Sequence, residues 1–442
     1  MTTNLLRFTQ MARDNPKTKF TALMGMVTDV KGLLDSFDRQ PAQKAAGVDG
    51  MRKDAYSVGA ESRLLDLSAR LRRVGYHPKP ARRVHIPKAN GGMRPLGIPS
   101  FEDRIVQDRL SQILQAIWEP EFRDCSYGFR PNRGAHDALR RVAEVITLQN
   151  TQWVVEMDIK GFFNHVCHDH LLKFLEHRIK DPCVLRTIHR FLKAGVMEDG
   201  IFQATDEGTP QGGLISPVLA NIYLHYVLDW WFEGVYAKGC QSGAYMIRYA
   251  DDGLFCFQDE ADARRFLDSM KDRLAQFGLE VEPSKTGLVR FGRQAARLSG
   301  QEDGKHPATF SFLGITHIVG KSRNGHFVIG RRTERKRVSR KLKEFGQKLR
   351  KMRTEGGKAM LTYARQHLTG HINYFGVSGN SRSLNAYVHH AAKLLFKWLN
   401  RRSQSRSLTW SRYGQLRDQG LLPKPRIVHN LYNLYPCRLG MA

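Results

Sequence analysis

Cysteine and acid are both scarce in this sequence, and each shortage excludes something. The six cysteines (Cys125, Cys167, Cys183, Cys240, Cys256 and Cys437) form no C-x-x-C pair, which argues against a structural zinc site and against a disulfide framework. They read as the reduced thiols of a cytosolic protein. No apolar stretch approaches the length of a membrane span, and the N-terminus MTTNLLRFTQMARDN lacks the apolar run of a signal peptide. The expectation is a soluble, cytoplasmic protein with no membrane partner. Negative charge is outnumbered: 42 Asp plus Glu face 70 Lys plus Arg, a net charge of +28 on 442 residues. Solubility needs far less than this excess. A surface so basic condenses on polyanions, of which nucleic acid is the usual one. Charge alone does not separate a passive binder of ribosomal or chromatin type from an enzyme.

The length exceeds one ordinary core and suits about two to four units. Residues 1–50 read as a largely helical extension ending in the turn Ala45-Ala46-Gly47-Val48-Asp49-Gly50. Residues 80–100 read as a hairpin, with Arg82 to Ile86 as one strand, Asn90-Gly91-Gly92 as the turn, and a second strand closed by Pro99. Two short apolar strands follow, in TQWVVEMDI and in YMIRYADDGLFCF. Helices lie between them without a regular βαβ alternation, so the class is α+β. Between Arg331 and Arg353 there are twelve basic residues and two acidic ones. Within that run Val338, Leu342, Phe345, Leu349 and Met352 recur at helical spacing and make one apolar stripe. Such a helix could be a solvated face or lie on a membrane surface. In a chain this basic and without membrane anchors, a nucleic-acid-facing helix is the better reading.

Three stretches carry the chemistry. Arg248-Tyr249-Ala250-Asp251-Asp252 is flanked on both sides by aromatic and aliphatic residues and reads as a hairpin with two acids at its turn. Acids placed so closely repel unless a divalent cation neutralises them, although two acids in a turn are commonly nothing more than turn residues. Asp158 changes the balance, because it closes the apolar strand Trp153-Val154-Val155-Glu156-Met157, where a rigid scaffold can aim it. Two such strands side by side would bring Asp158 and Asp251 together, as phosphoryl transfer with two metal ions requires. Between them lies Gly208-Thr209-Pro210-Gln211-Gly212-Gly213-Leu214-Ile215-Ser216-Pro217. Its glycines permit close approach to a ligand, and Ser216 suits an N-cap with Pro217 at the first helical position. Taken alone, this loop could equally be a simple connection.

In this order the three stretches resemble palm motifs A, B and C of reverse transcriptases, and more narrowly the group II intron-encoded proteins of bacteria and organelles. The resemblance extends further along the chain. Ala46 to Gly50, Ile86-Pro87-Lys88 with Arg94 to Pro99, and Ser126-Tyr127-Gly128-Phe129-Arg130-Pro131 are similar to that family's finger motifs. Phe310 to Gly314 resembles its primer grip, and Leu368-Thr369-Gly370 through Asn380 resembles its maturase domain X. The resemblance implies a right-hand polymerase with fingers, a palm bearing an antiparallel sheet, and a helical thumb. Residues 1–50 would be the N-terminal extension, 51–330 fingers and palm, 331–400 the thumb or domain X, and 401–442 a short appendage and candidate DNA-binding segment.

The resemblance also assigns roles. Asp158, Asp251 and the supporting Asp252 would be catalytic acids holding two Mg²⁺ ions, for which Mn²⁺ can substitute, with the Ile159 carbonyl as a backbone ligand. Lys88 and Arg94 would hold the incoming triphosphate, and Gln211 would lie along the nucleotide sugar and template base. Lys285 matches a lysine thought to protonate pyrophosphate, an ordinary exposed lysine being the alternative. Phe163 matches the aromatic gate against a ribose 2′-hydroxyl. An apolar ring leaves that hydroxyl unpaired at a cost of about 1–3 kcal/mol, which favours deoxynucleotides. The implied partners are an RNA template, a DNA or RNA primer, dNTPs and the protein's own intron RNA. Many members end in an HNH endonuclease held by paired cysteines. No such pair stands here, so target-strand cleavage is not expected. The Tyr249-Ala250-Asp251-Asp252 form favours an intron-encoded member. A splicing cofactor alone, or a host-recruited enzyme of DNA repair, phage defence or CRISPR spacer acquisition, are the competing readings.

Overall fold

A computed structural model describes residues 3–87, 92–209, 212–298, 308–322, 324–401 and 408–432. The described strands, in chain order, are β1 (Ala81–Pro87), β2 (Met93–Ile98), β3 (Trp153–Asp158), β4 (Val196–Glu198), β5 (Ile201–Gln203), β6 (Ala244–Tyr249), β7 (Asp252–Phe257), β8 (Gly287–Arg290), β9 (Thr309–Phe312), β10 (Ile315–Lys321) and β11 (Phe327–Thr333). They form three sheets of order β2-β1-β4-β5, β6-β7-β3-β8 and β11-β10-β9. With the helices between them they make an α+β fold. Among the described residues no helix is long and apolar enough to cross a membrane.

Two compact units divide the chain. One takes residues 1–135, 157–255 and 264–287, the other 136–156, 256–263 and 288–442. The first is built around the helix Phe101–Trp118, whose buried residues occupy nearly every face from Phe101 to Trp118. Its buried polar residues are bonded within the unit, Asp103 to the Tyr76 hydroxyl and Arg104 to the Pro99 carbonyl among them, as burial of polar groups requires. The helices Thr3–Asp14, Val30–Asp38 and Ser216–Leu224 pack on it. The expected hairpin is present: β1 and β2 are antiparallel, with Val84 opposite Leu96 and Ile86 opposite Arg94. The turn before Gly50 is stitched to this sheet, because the Arg82 guanidinium donates to the Ala46 carbonyl at 2.8 Å. Gly47 is required there, since a Cβ would come within 2.6 Å of the Ser100 Cα.

In the second unit β9, β10 and β11 form an antiparallel meander. The basic helix runs Arg335–Lys351 and buries Phe345 and Leu349 of its apolar stripe. It packs on the helix Ser381–Asn400, which also receives the helix Gly357–Phe375. Compactness does not follow the chain boundary expected near residue 330, because β9–β11 pack with the later helices: Arg331 donates to the Ser378 carbonyl at 3.0 Å, and the Asn380 amide bonds Thr333. Residues 408–432 fold back onto the same unit. Tyr413 is buried with its hydroxyl on the Ala392 carbonyl, Trp410 stacks on Phe396 at 3.7 Å, and the Val428 amide donates to Gly376.

Candidate active site

β7 lies between β6 and β3 in its sheet, and its residues Gly253 to Phe257 are all buried. A strand so enclosed can hold its first residues rigidly. Asp252 opens β7 and is exposed, while Ala250 and Asp251 form the two-residue turn from β6. Ala250 sits in the left-handed region at φ +58°, which costs an L-residue about 1–2 kcal/mol. A two-residue hairpin turn demands that conformation. Gly253 lets β7 and β3 approach closely, a Cβ there lying 2.7 Å from the Met157 Cε in β3. Asp158 ends β3, so the strand order carries it to the same sheet edge as the acidic turn.

Asp158 is secured from its other side. Its carbonyl accepts the Glu282 amide at 2.8 Å, and the Lys160 amide donates to the Glu280 carbonyl at 2.8 Å. These bonds flank the bridge between Ile159 and Val281, so the Ile159 carbonyl faces away from residue 281. The Lys285 ammonium pairs with Asp158 Oδ2, and this bond raises the lysine's pKa. Burial first, and then the charge of Asp158, raise the pKa of Asp251; Arg94 and Lys285 act in the opposite direction. Asp158 thus lies near enough for its charge to act on Asp251, and the Lys285 ammonium is paired with Asp158.

A divalent metal fits this donor set. The candidate ligands are carboxylate and carbonyl oxygens, the hard donors that Mg²⁺ prefers. Among the described residues no three acidic, histidine or cysteine side chains converge to hold an ion by themselves.

Gly161, at φ +57°, turns the chain after Asp158 into the short 3₁₀ helix Phe162–Asn164. Phe163 is half-buried, and its carbonyl accepts the Thr209 amide at 2.7 Å. The Gly208 amide donates to Val166, and the His168 ring contacts the Gly208 carbonyl at 2.7 Å. The loop after residue 207 is thereby tied to the Phe163 turn. Beside the ring opens a cavity of about 240 Å³, lined by Phe163, Asn164, Thr209, Pro95, Gly97 and Arg83 among others. Gly212 approaches β2 so closely that a Cβ would meet the Gly97 carbonyl at 2.4 Å. Lys88 and Gln211 lie outside the described residues.

The sequence pattern of the family described as reverse transcriptase (RNA-dependent DNA polymerase) matches residues 86–317, more than half of the 442. The chain belongs to the reverse transcriptase family. Protein YkfC of Escherichia coli (strain K12) is 39% identical over 220 residues, covering 48% of this chain and 58% of that protein. Group II intron-encoded protein LtrA of Lactococcus lactis subsp. cremoris is 37% identical over 222 residues, covering 50% of this chain and 37% of LtrA. A protein encoded in the cob intron of Schizosaccharomyces pombe is 43% identical over 156 residues, covering 35% of this chain and 19% of its own length. The matches thus span less than two thirds of these relatives' lengths. Two of these three relatives are named for the introns that encode them.

Of the residues singled out from the sequence, the reverse transcriptase fold gathers Asp158, Ile159, Asp251, Asp252 and Lys285 at one sheet edge. It places Arg94 close enough to act on the charge of Asp251, and Phe163 on the wall of the 240 Å³ cavity. One local expectation is corrected. The helix of the second motif starts at Ser216, so Ile215 and not Ser216 holds the cap position, without a side-chain cap bond, and Pro217 is the second helical residue. Ile215 already has helical backbone angles, which lengthens the helix by one residue.

Sequence reading missed four polar residues that hold the acidic turn. Arg248 and Asp229 are both fully buried, and the guanidinium grips the carboxylate in a fork at 2.6 and 2.5 Å. Arg248 also donates to the Ala250 carbonyl at 2.8 Å, to Ser126 Oγ at 2.8 Å and to Asn221 Oδ1 at 3.1 Å. The signal was available: a charged residue stands alone inside the apolar strand Tyr245-Met246-Ile247-Arg248-Tyr249.

Proposed function

We propose that this protein is an RNA-directed DNA polymerase that copies an RNA template into cDNA by two-metal phosphoryl transfer. The observation that carries the reading is the approach of Asp158 to Asp251 at one sheet edge, in a chain of this family. Asp158, Asp251, Asp252 and the Ile159 carbonyl would hold two Mg²⁺ ions. When bound, those ions supply a lowered pKa for the primer 3′-hydroxyl and charge neutralisation for pyrophosphate. Arg94, with Lys88, binds the triphosphate, the guanidinium fork matching phosphate oxygens. Gln211 lies along the sugar and template base. Phe163 excludes the 2′-hydroxyl, and Lys285 holds a proton for the departing pyrophosphate.

The substrates would be an RNA template, a DNA or RNA primer and dNTPs, met in the cytoplasm. The protein also assists splicing and mobility of its own intron RNA, a role supported by the names of its relatives and by the basic helix Arg335–Lys351.

The test is primer extension on an annealed RNA template with Mg²⁺, offering dNTPs or NTPs, and with Asp251→Ala as control. Full-length DNA from dNTPs only, lost in the variant, is the expected result. Synthesis undiminished in Asp251→Ala would remove the proposed metal site. No product from wild type, with salt-sensitive RNA binding retained, would leave splicing as the function.

A further inference from the structure

The acidic turn must be aimed to within a fraction of an ångström, yet it stands on Ala250 in a strained conformation. The strain persists only because surrounding groups over-determine it. Those groups converge on one side chain. Arg248, with no exposed surface, uses all three guanidinium nitrogens: Nε and Nη2 on Asp229, Nη2 also on Ser126 Oγ, and Nη1 on Asn221 Oδ1 and the Ala250 carbonyl. The Ala250 bond reaches the peptide that precedes Asp251.

Each partner comes from a different part of the first unit. Asn221 lies on the helix Ser216–Leu224, and its amide also donates to the Gly128 carbonyl at 2.8 Å. Asp229 ends a π-helical turn, His225–Asp229, that continues this helix. A π turn carries more residues than an α turn and so re-aims the side chains that follow it. Ser126 belongs to the segment that bridges to Arg248, where Tyr127 donates to the Arg248 carbonyl at 2.9 Å and Arg248 donates to Cys125 at 2.7 Å. Gly128 then passes so close to the turn that a Cβ would lie 2.5 Å from the Ala250 nitrogen.

We infer that Arg248 and Asp229 are positioning residues that lock the Ala250–Asp251 turn in its metal-binding geometry, with Ser126 and Asn221 completing the lock. A buried ion pair is poor evidence of stability, since apolar residues of similar volume often replace one without loss. Retaining so many directional bonds on one guanidinium serves orientation. The inference rests on the polymerase reading of this site.

Three proteins test it: wild type, the paired replacement Arg248→Met with Asp229→Leu, and Ser126→Ala, which leaves the ion pair intact. Each is assayed for dNTP incorporation on RNA template–primer across a Mg²⁺ titration, alongside its thermal midpoint and template–primer affinity. The paired variant should fold and bind template–primer, yet incorporate about a hundredfold more slowly, the scale of a small misplacement at a reacting centre. Its Mg²⁺ midpoint should rise. Ser126→Ala should raise the Mg²⁺ midpoint by about fivefold, as the loss of one hydrogen bond allows. A merely structural role predicts fewer active molecules with an unchanged Mg²⁺ midpoint. Variants with the wild-type rate and midpoint overturn the inference, and Ser126→Ala decides alone if the paired protein does not fold. A wild type that makes no DNA overturns the polymerase reading and the inference with it.

Discussion

Single residues divide the chemistry here into what is held and what is gated. Lys285 contacts Asp158, so its ammonium would be near the phosphate oxygens of a nucleotide whose metal ion that carboxylate held. If it gives a proton to pyrophosphate, Lys285→Ala should slow single-nucleotide incorporation about a hundredfold, the lower range for a general acid, while Lys285→Arg should not restore the rate. Rapid-quench measurement at saturating dNTP checks this; equal rates in wild type and Lys285→Ala would make it an ordinary surface lysine. Phe163 has a separate consequence. Phe163→Val opens the cavity wall and should narrow the preference for dNTPs over NTPs by about tenfold to a hundredfold, the worth of one unpaired hydroxyl. Competition between dCTP and CTP opposite a template G reads it. The positions of Asp158 and Asp251 were legible in the sequence because one closes an apolar strand and the other stands in a hairpin turn, whereas Phe163 was singled out only by the family resemblance. Arg248 was not legible, since its meaning lies in Asp229, Ser126 and Asn221, which no local pattern joins to it.

Elements show the same division. The hairpin β1–β2 and the strands β3, β6 and β7 could be read from short apolar runs and the turn residues bounding them. The meander β9–β11 was missed apart from its Phe310–Gly314 segment, because polar residues, His317 and Arg331, take buried positions where an apolar side chain would have marked the strand. The helix Phe101–Trp118 carries a feature that local pattern does not disclose. Asp103, buried in its first turn, accepts the Tyr76 hydroxyl at 2.5 Å and the Lys79 amide at 3.2 Å. Burial nonetheless pushes its carboxyl from the ordinary 3.8 up to about 7. The folded state therefore binds this proton more tightly than the unfolded chain. The resulting stability is complete below about pH 3.8, is lost as pH rises through about 7, and is level beyond that. The whole span is worth roughly 4 kcal/mol. Asp103→Asn cannot titrate, so the difference between its urea midpoint and that of wild type should widen in the variant's favour from pH 4 to pH 8. A constant difference over that range would show that Asp103 keeps its ordinary pKa.

At the scale of the whole molecule, charge governs association. A net charge of +28 drives binding to any polyanion, so affinity for RNA by itself says little about specificity. The part of that charge borne by the helix Arg335–Lys351 is organised: Lys336, Lys343 and Arg350 are exposed and recur every seven residues, on one face opposite the buried Phe345 and Leu349. A face of this kind meets phosphates, and each phosphate neutralised releases counterions that steepen the salt dependence of binding. Replacing Lys336, Lys343 and Arg350 by Gln should lower the slope of log affinity against log salt by about 1 for each phosphate contact removed. Affinity should weaken similarly for intron RNA and for unrelated RNA, because phosphate contacts carry no sequence information. Nucleotide incorporation on a saturating template–primer should stay close to wild type, since none of the three is among the residues proposed to hold metal or nucleotide. An unchanged slope in the triple variant, measured by filter binding from 50 mM to 200 mM salt at about the range where such contacts tell most, would move RNA recognition away from this helix.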